Sequence, residues 1–316
     1  VHMSELLPVY METMQKRMDG EEGTRNLKTG IEELDDATGG INLQDLIVVA
    51  GRPGMGKTEF ALKIVDGVTA AGGGALIFSM EMAAAQIVER SLAGSGNMSV
   101  SRLRNPLDMQ DEDWARFTAA METMNGRDIW IVDATDLTIE QIRAVAETHK
   151  RRYPHLAMIV VDYLGLIKKP KAERNDLAIA HISRNLKTMA MRLHTPTFAL
   201  SQLSRAVDSR PATQRRPVMS DLRDSGSIEQ DADSIMFLYR DEVYNPESPA
   251  AGVAEIILGK SRFSAAGAII YQEFKNGHFL SMDQHVGKEK TRIQLEAAKP
   301  RKQPRKYSER FNTDAF

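Results

Sequence analysis

Cysteine is absent from the 316 residues, which excludes disulfide frameworks, thiolate nucleophiles and cysteine-bound zinc and suits a reducing compartment. No apolar run approaches the ~18 to 20 residues of a membrane-spanning helix, and the amino terminus lacks the basic-then-apolar pattern of a signal peptide. The expectation is a cytoplasmic protein with no membrane association. Seven histidines are scattered without H-E-x-x-H or other metal-ligand spacing, so a histidine-built metal site is a poor reading. No G-x-S-x-G elbow and no dinucleotide glycine fingerprint occur, which removes those hydrolase and oxidoreductase classes. Val1-His2 reads as an addition ahead of a natural start at Met3.

Hydrophobic residues at 42% and charged residues at 27% describe an ordinary globular chain. Its length suits one large domain or about two of ~150 residues. The net charge of −2 is unevenly placed: from Gly287 onward nine Lys or Arg stand against four Asp or Glu, leaving 32 basic against 39 acidic in residues 1–286. The run Lys299-Pro300-Arg301-Lys302-Gln303-Pro304-Arg305-Lys306 mixes prolines with cations and has no apolar period. Residues 287–316 therefore read as a basic, disordered tail, and the pattern leaves open whether it touches an acidic partner or is simply solvated. At the other end Leu7, Tyr10, Met11, Met14 and Met18 share one helical face ahead of the breaker-rich Asp19-Gly20-Glu21-Glu22-Gly23. Residues 1–23 thus form an amphipathic helix on a tether, either folded back on its own core or docked on a neighbouring copy.

Between these ends, residues 24–286 alternate β-branched apolar runs with helical patterns. Leu46–Ala50, Ala75–Phe78, Ile129–Val132, Met158–Val161 and Thr197–Leu200 read as buried strands. The helical stretches are Glu59–Ala71, Ala83–Leu92, Asp111–Met124, Ile139–Arg152 and Leu177–Leu193. Strands buried on both faces and joined by helices imply an α/β fold with a mostly parallel central sheet flanked by helices. After Pro217 shorter runs, Ser234–Tyr239, Val253–Leu258 and Gly267–Phe274, extend the sheet with a hairpin.

Gly51-Arg52-Pro53-Gly54-Met55-Gly56-Lys57-Thr58 is a complete G-x-x-x-x-G-K-[ST] phosphate loop between the first strand and a helix. Its glycines let successive N–H groups converge on phosphate oxygens, and the helix amino terminus adds positive potential. Lys57 is placed to bridge the β- and γ-phosphates and Thr58 to hold Mg²⁺. Asp162 ends the strand Met158–Val161, where a carboxylate reaches the nucleotide edge of the sheet and polarises a Mg²⁺-bound water. Glu81 follows the strand Ala75–Phe78 and is the candidate general base, with a solvated loop carboxylate as the other reading. Gln202 ends the strand Thr197–Ser201, as a sensor of the γ-phosphate or a structural amide. ATP or another nucleoside triphosphate with Mg²⁺ is the implied substrate and cofactor set.

Phe78-Ser79-Met80-Glu81-Met82, Val161-Asp162-Tyr163-Leu164, Ala199-Leu200-Ser201-Gln202-Leu203-Ser204-Arg205 and the run Ser220–Asp233, followed by Tyr239-Arg240-Asp241-Glu242, give a more specific signal. Through them residues Thr29–Gln284 resemble the carboxy-terminal motor domain of DnaB-type replicative helicases, hexameric RecA-like ATPases. The resemblance implies a RecA-like P-loop NTPase core preceded by a linker helix that docks on the adjacent protomer. It implies the roles above for Lys57, Thr58, Glu81, Asp162 and Gln202. It further implies that Lys260 and Arg262 reach a neighbour's γ-phosphate, although Phe263–Gly267 departs from the Asn-Gly-Pro turn of the family. Arg223, Asp224 and Gly226 take the place of the channel segment that follows single-stranded DNA, with Asp224 where a glutamate is common. Lys168, Lys169, Lys171 and Arg174 form either a second channel loop or a solvated charge run.

The implied activity is ATP-driven translocation on single-stranded DNA and duplex unwinding, 5′ to 3′, with primase and a loader as further partners and a bacterial or phage-infected cytoplasm as the setting. The amino-terminal collar of the family has no counterpart in the sequence, as in a truncated or a phage-like version. A RecA-like recombinase or repair ATPase, or a nucleotide-switched loader, is the alternative.

Overall fold

The computed structural model describes residues 1–19, 26–169, 175–222, 225–262 and 267–298. In chain order the elements are α1 (Met3–Asp19), α2 (Glu32–Thr38), β1 (Leu46–Gly51), α3 (Lys57–Ala70), β2 (Gly74–Ser79), α4 (Ala84–Ser95), α5 (Val100–Arg104), α6 (Asp111–Asn125), β3 (Ile129–Asp133), α7 (Ile139–Arg152) and β4 (Leu156–Asp162). Then follow α8 (Asn175–Leu193), β5 (Thr197–Gln202), α9 (Ser225–Asp231), β6 (Ser234–Tyr239), β7 (Val253–Ser261), β8 (Ile269–Lys275), β9 (His278–Ser281) and α10 (Gln284–Ala297). The α/β reading holds: nine strands form one sheet in the order β3-β2-β4-β5-β1-β6-β7-β8-β9. The first six run parallel and the last three continue as antiparallel hairpins.

Alternation within the strands builds two cores. Ile47, Val49, Val160 and Leu200 face one side with Phe60, Ile64 and Val68 of α3, whereas Leu46, Val48, Val161 and Ala199 face the other with Ile142, Ile182 and Leu186. This double burial explains why β1, β2, β4, β5 and β6 read as unbroken apolar runs, whereas Ile129–Val132, read as a buried strand, lies in β3 at the sheet edge and is only half-buried. Because β1, β2, β4 and β5 are parallel, their carboxyl ends lie along one edge, in register: Ser79 pairs with Asp162 and Gly51 with Gln202. That edge carries the site.

One sequence expectation changes and one open alternative is removed. The stretch from Gly287 does not begin as a tail: Gln284–Ala297 is helix, capped by Asp283, with Gly287, Thr291 and Gln294 buried. The basic run beyond it lies outside the described residues. The stripe on α1 does not fold back on its own core, since Leu7, Tyr10, Met11, Met14 and Met18 are 38% to 76% exposed. Among the described residues no helix is long and apolar enough to cross a membrane.

Candidate active site

Where β1 ends, the chain turns into α3 through Gly54 and Gly56, both in the left-handed region at φ 82° and 91°. Gly56 also lies under Phe274 and Phe279, whose ring atoms would stand 3.1 Å from an added Cβ. The loop thus needs glycine for both backbone conformation and close approach. It forms the floor of a cleft of ≈ 360 Å³ whose walls include Lys57, Thr58, Glu81, Asp162 and Gln202. Five residues called from the sequence therefore converge on one space, from the ends of β2, β4 and β5 and the start of α3.

Asp162 is 3% exposed, and its Oδ2 accepts a 2.8 Å hydrogen bond from the Thr58 hydroxyl. Burial pushes its carboxyl above the ordinary value; the Thr58 bond opposes that, Glu81 adds to it, and Lys57 opposes it. Lys57 curls back over the loop, its Nζ donating to the carbonyls of Gly51 at 3.1 Å and Arg52 at 3.4 Å. Burial pulls its ammonium below the ordinary lysine range, against the attraction of Asp162 and Glu81. A polyanion in the cleft would favour the charged form of Lys57, and a divalent cation that of Asp162, each against the cost of burial, so both groups gain from a metal–phosphate ligand. Among the described residues no group of three or more acidic or histidine side chains forms a cage for a metal. A Mg²⁺ shared with phosphates needs only one or two protein oxygens, its remaining ligands being phosphate and water, and the Thr58–Asp162 pair fits that donor set.

Other called residues lie elsewhere. The Arg52 side chain points away, paired with Asp208 at 2.6 Å and donating to the Leu203 carbonyl at 2.9 Å. Met55 is buried in the core and Gly51 is strand backbone. At these three positions only main-chain atoms remain for a ligand. Lys260 and Arg262 sit at the opposite end of the sheet, because β7 runs antiparallel to β6 and pairs Lys260 with Ile235 and Ser261 with Ser234. There the Lys260 ammonium donates to the carbonyls of Glu229 and Ala232 at 2.6 and 2.7 Å, and Arg262 lies 3.3 Å from Asp233. Gly226 is exposed on α9, and among the described residues outside its own stretch of helix backbone none comes within 4 Å of an added Cβ. Arg223, Asp224, Lys171 and Arg174 lie outside the described residues, and Lys168 and Lys169 are exposed.

Three further side chains in the cleft wall were not singled out in the sequence: Glu59, Arg90 and Phe274. Arg240 joins them at the rim. Its guanidinium lies 3.4 Å from the Phe274 ring centroid and donates to the Gly54 carbonyl at 3.1 Å. Tyr239-Arg240-Asp241-Glu242 stands out as a motif, but nothing in its spacing announces contact with a loop so distant in the chain.

The family model for the DnaB-like helicase C-terminal domain matches residues 26–278. The chain belongs to this family. Among DnaB-like relatives, the replicative DNA helicase DnaB of Pasteurella multocida (strain Pm70) is 43% identical over 256 residues, 80% of this chain and 54% of that protein. That of Geobacillus stearothermophilus is 42% identical over 259 residues, 81% and 56% of the two chains. The chain thus spans about half the length of the curated relatives it matches. Among solved structures the ATPase domain of G40P superposes with a TM-score of 0.79 at 32% identity, covering 88% of this chain and 99% of that one. A DnaB-like replicative helicase, from a study of its interactions with primase, matches with a TM-score of 0.79 at 31% identity, covering 90% and 67%. The RecA-like motor fold expected from the sequence is therefore shown.

Proposed function

We propose that the protein is a Mg²⁺-dependent ATPase motor of a replicative DNA helicase, a hexameric ring that moves 5′ to 3′ on single-stranded DNA and separates the duplex ahead. The observation that carries this reading is the convergence of Lys57, the Thr58–Asp162 pair, Glu81 and Gln202 on one cleft in a member of the DnaB-like family. That membership, with relatives that are replicative helicases, favours a helicase over a recombinase or a loader.

In the proposed reaction the backbone of Pro53–Thr58 and the amino terminus of α3 hold the triphosphate. Lys57 leaves the Gly51 and Arg52 carbonyls for the β- and γ-phosphates. Thr58 and Asp162 would hold Mg²⁺, whose chemistry there would be to neutralise phosphate charge. Glu81 takes a proton from the water whose oxygen attacks the γ-phosphorus; the bridging oxygen departs with ADP. Gln202 is uncharged and adjoins the loop through the β1–β5 register, so it reports the γ-phosphate to the segment after β5 without adding charge. Lys260 and Arg262 complete the site of a neighbouring subunit, and the stripe on α1 docks on that neighbour. Arg223, Asp224 and Gly226 follow the DNA backbone, where cations and close main-chain approach bind without reading sequence. Primase and a loader are proposed as further partners.

The test is ATP hydrolysis with and without single-stranded DNA, alongside strand separation on a forked duplex. The native chain should be DNA-stimulated and should unwind. Lys57→Ala should lower hydrolysis by ~100-fold or more, the loss typical of removing one transition-state donor. Hydrolysis indifferent to DNA and no unwinding by the native chain would remove the helicase reading.

A further inference from the structure

Behind the phosphate cleft is a second cavity, whose lining includes Glu59, Asp66, Arg90, Gly94 and His278. Glu59 and Arg90 also line the cleft itself, so these two side chains form a shared wall. Glu59 follows Thr58 directly and is 7% exposed. Its negative charge suits the amino terminus of α3 but adjoins the space a polyanion would fill, and a buried carboxylate needs charged partners. It has two. Arg90 donates a charge-assisted bond to Oε1, and His278, 5% exposed, places Nδ1 3.1 Å from Oε2.

The other ring nitrogen of His278 lies 2.7 Å from the Met98 carbonyl oxygen. A carboxylate and a carbonyl only accept, so satisfying both contacts requires two N–H donors, which only the imidazolium has. Burial alone would lower the His278 pKa, but the bonds to Glu59 and to the Met98 carbonyl, with the charge of Glu59, outweigh it and the net shift is upward. Glu59 is therefore neutralised from behind by one cation and from the cleft side by another. Among the described residues, Lys57 and Arg90 are the cations that line the cleft wall, with Arg240 at its rim, against Glu59, Glu81 and Asp162.

We propose that His278 is a positioning residue for nucleotide binding: by neutralising Glu59 it releases Arg90 from full pairing with that carboxylate and keeps the guanidinium available to the triphosphate. This rests on the nucleotide reading of the cleft. Without the imidazolium, Arg90 becomes the sole countercharge of a buried carboxylate and is drawn inward, away from the phosphates.

The experiment is titration of the full chain with a fluorescent ATP analogue in Mg²⁺. His278→Gln is compared with the native residue in three backgrounds: otherwise native, Glu59→Gln and Arg90→Ala. His278→Gln keeps a neutral donor but cannot carry charge. In the native background it should weaken binding roughly tenfold, as expected for one charge-assisted contact. In the Glu59→Gln background it should have no effect, because the carboxylate that captures Arg90 is gone, and in the Arg90→Ala background it should cost less than in the native one, because only the direct repulsion by Glu59 is left. A His278 that merely packs the β8–β9 hairpin would cost the same in all three, and that result, or full affinity in His278→Gln, overturns the proposal. Should the single variant fail to fold by circular dichroism, comparing Glu59→Gln with Glu59→Gln/His278→Gln decides: different affinities overturn it. Absence of binding by the native chain sinks the nucleotide reading instead.

Discussion

Charge in the cleft is held under tension at individual side chains: burial pushes Asp162 toward its neutral form and Lys57 toward its own. His278 is the contrasting case, a buried base held in its charged form by two oxygens. A base whose pKa is raised on folding contributes stability fully below its unfolded value and loses it as pH rises through the folded one. The melting temperature of the native chain should therefore fall as pH rises from the ordinary imidazole value of 6.5 upward. His278→Gln should be flatter over the same window, and scanning calorimetry from pH 6 to pH 9 reads the difference; parallel curves would show that His278 does not titrate there. Lys57, Thr58 and Asp162 were legible in the sequence because a phosphate loop must follow a strand and precede a helix, and a carboxylate ending a neighbouring parallel strand has only one edge to occupy. Glu59, Arg90 and His278 were not. The Glu59–His278 contact joins residues 219 positions apart, and no local period or spacing encodes such a pair.

Periodicity exposes an element only when its buried face is apolar. The parallel strands and α7 met that condition, and the α7 limits Ile139–Arg152 read from the sequence match the helix. Helix α10 did not. Its buried positions are Gly287, Thr291 and Gln294, spaced four and three apart as on one helical face, while Val286 and Ile293 are exposed. Polar contacts hold it: Gln294 donates to Asp241 at 3.0 Å and accepts from Arg216 at 3.2 Å. With a glycine at the closest approach and cations on the outside, such a helix has the composition of a tail. That approach makes a prediction, since a Cβ on Gly287 would lie 2.4 Å from Cβ of Tyr271 on β8. Neither atom is the end of a flexible side chain, so Gly287→Ala must move α10 off the sheet. The expected cost is about 1–3 kcal/mol, as for overpacked cores, read by urea denaturation; an unchanged midpoint would mean that α10 does not pack as described.

At the scale of the molecule, the sheet separates the two halves of the proposed chemistry. The phosphate loop lies at the carboxyl end of β1, beside the carboxyl end of β6 where Arg240 follows, whereas Lys260 and Arg262 pair beside its amino end. Six residues of strand span about 17 Å, further than either side chain reaches. No rotamer change in one subunit can bring Arg262 to its own Lys57. If Arg262 acts in hydrolysis, it acts on another copy, and the exposed stripe of α1 gives that copy a surface to bind. Arg262→Ala should accordingly retain nucleotide affinity while losing hydrolysis, because its own cleft is intact. Mixed with Lys57→Ala chains, it should recover part of the native ATPase rate. Some interfaces then pair the intact Lys57 of one subunit with the intact Arg262 of the next, and the recovered rate should peak at an intermediate mixing ratio. A mixture that never exceeds the sum of its two components would mean that Arg262 serves only as the partner of Asp233, and that each cleft is chemically complete within its own chain.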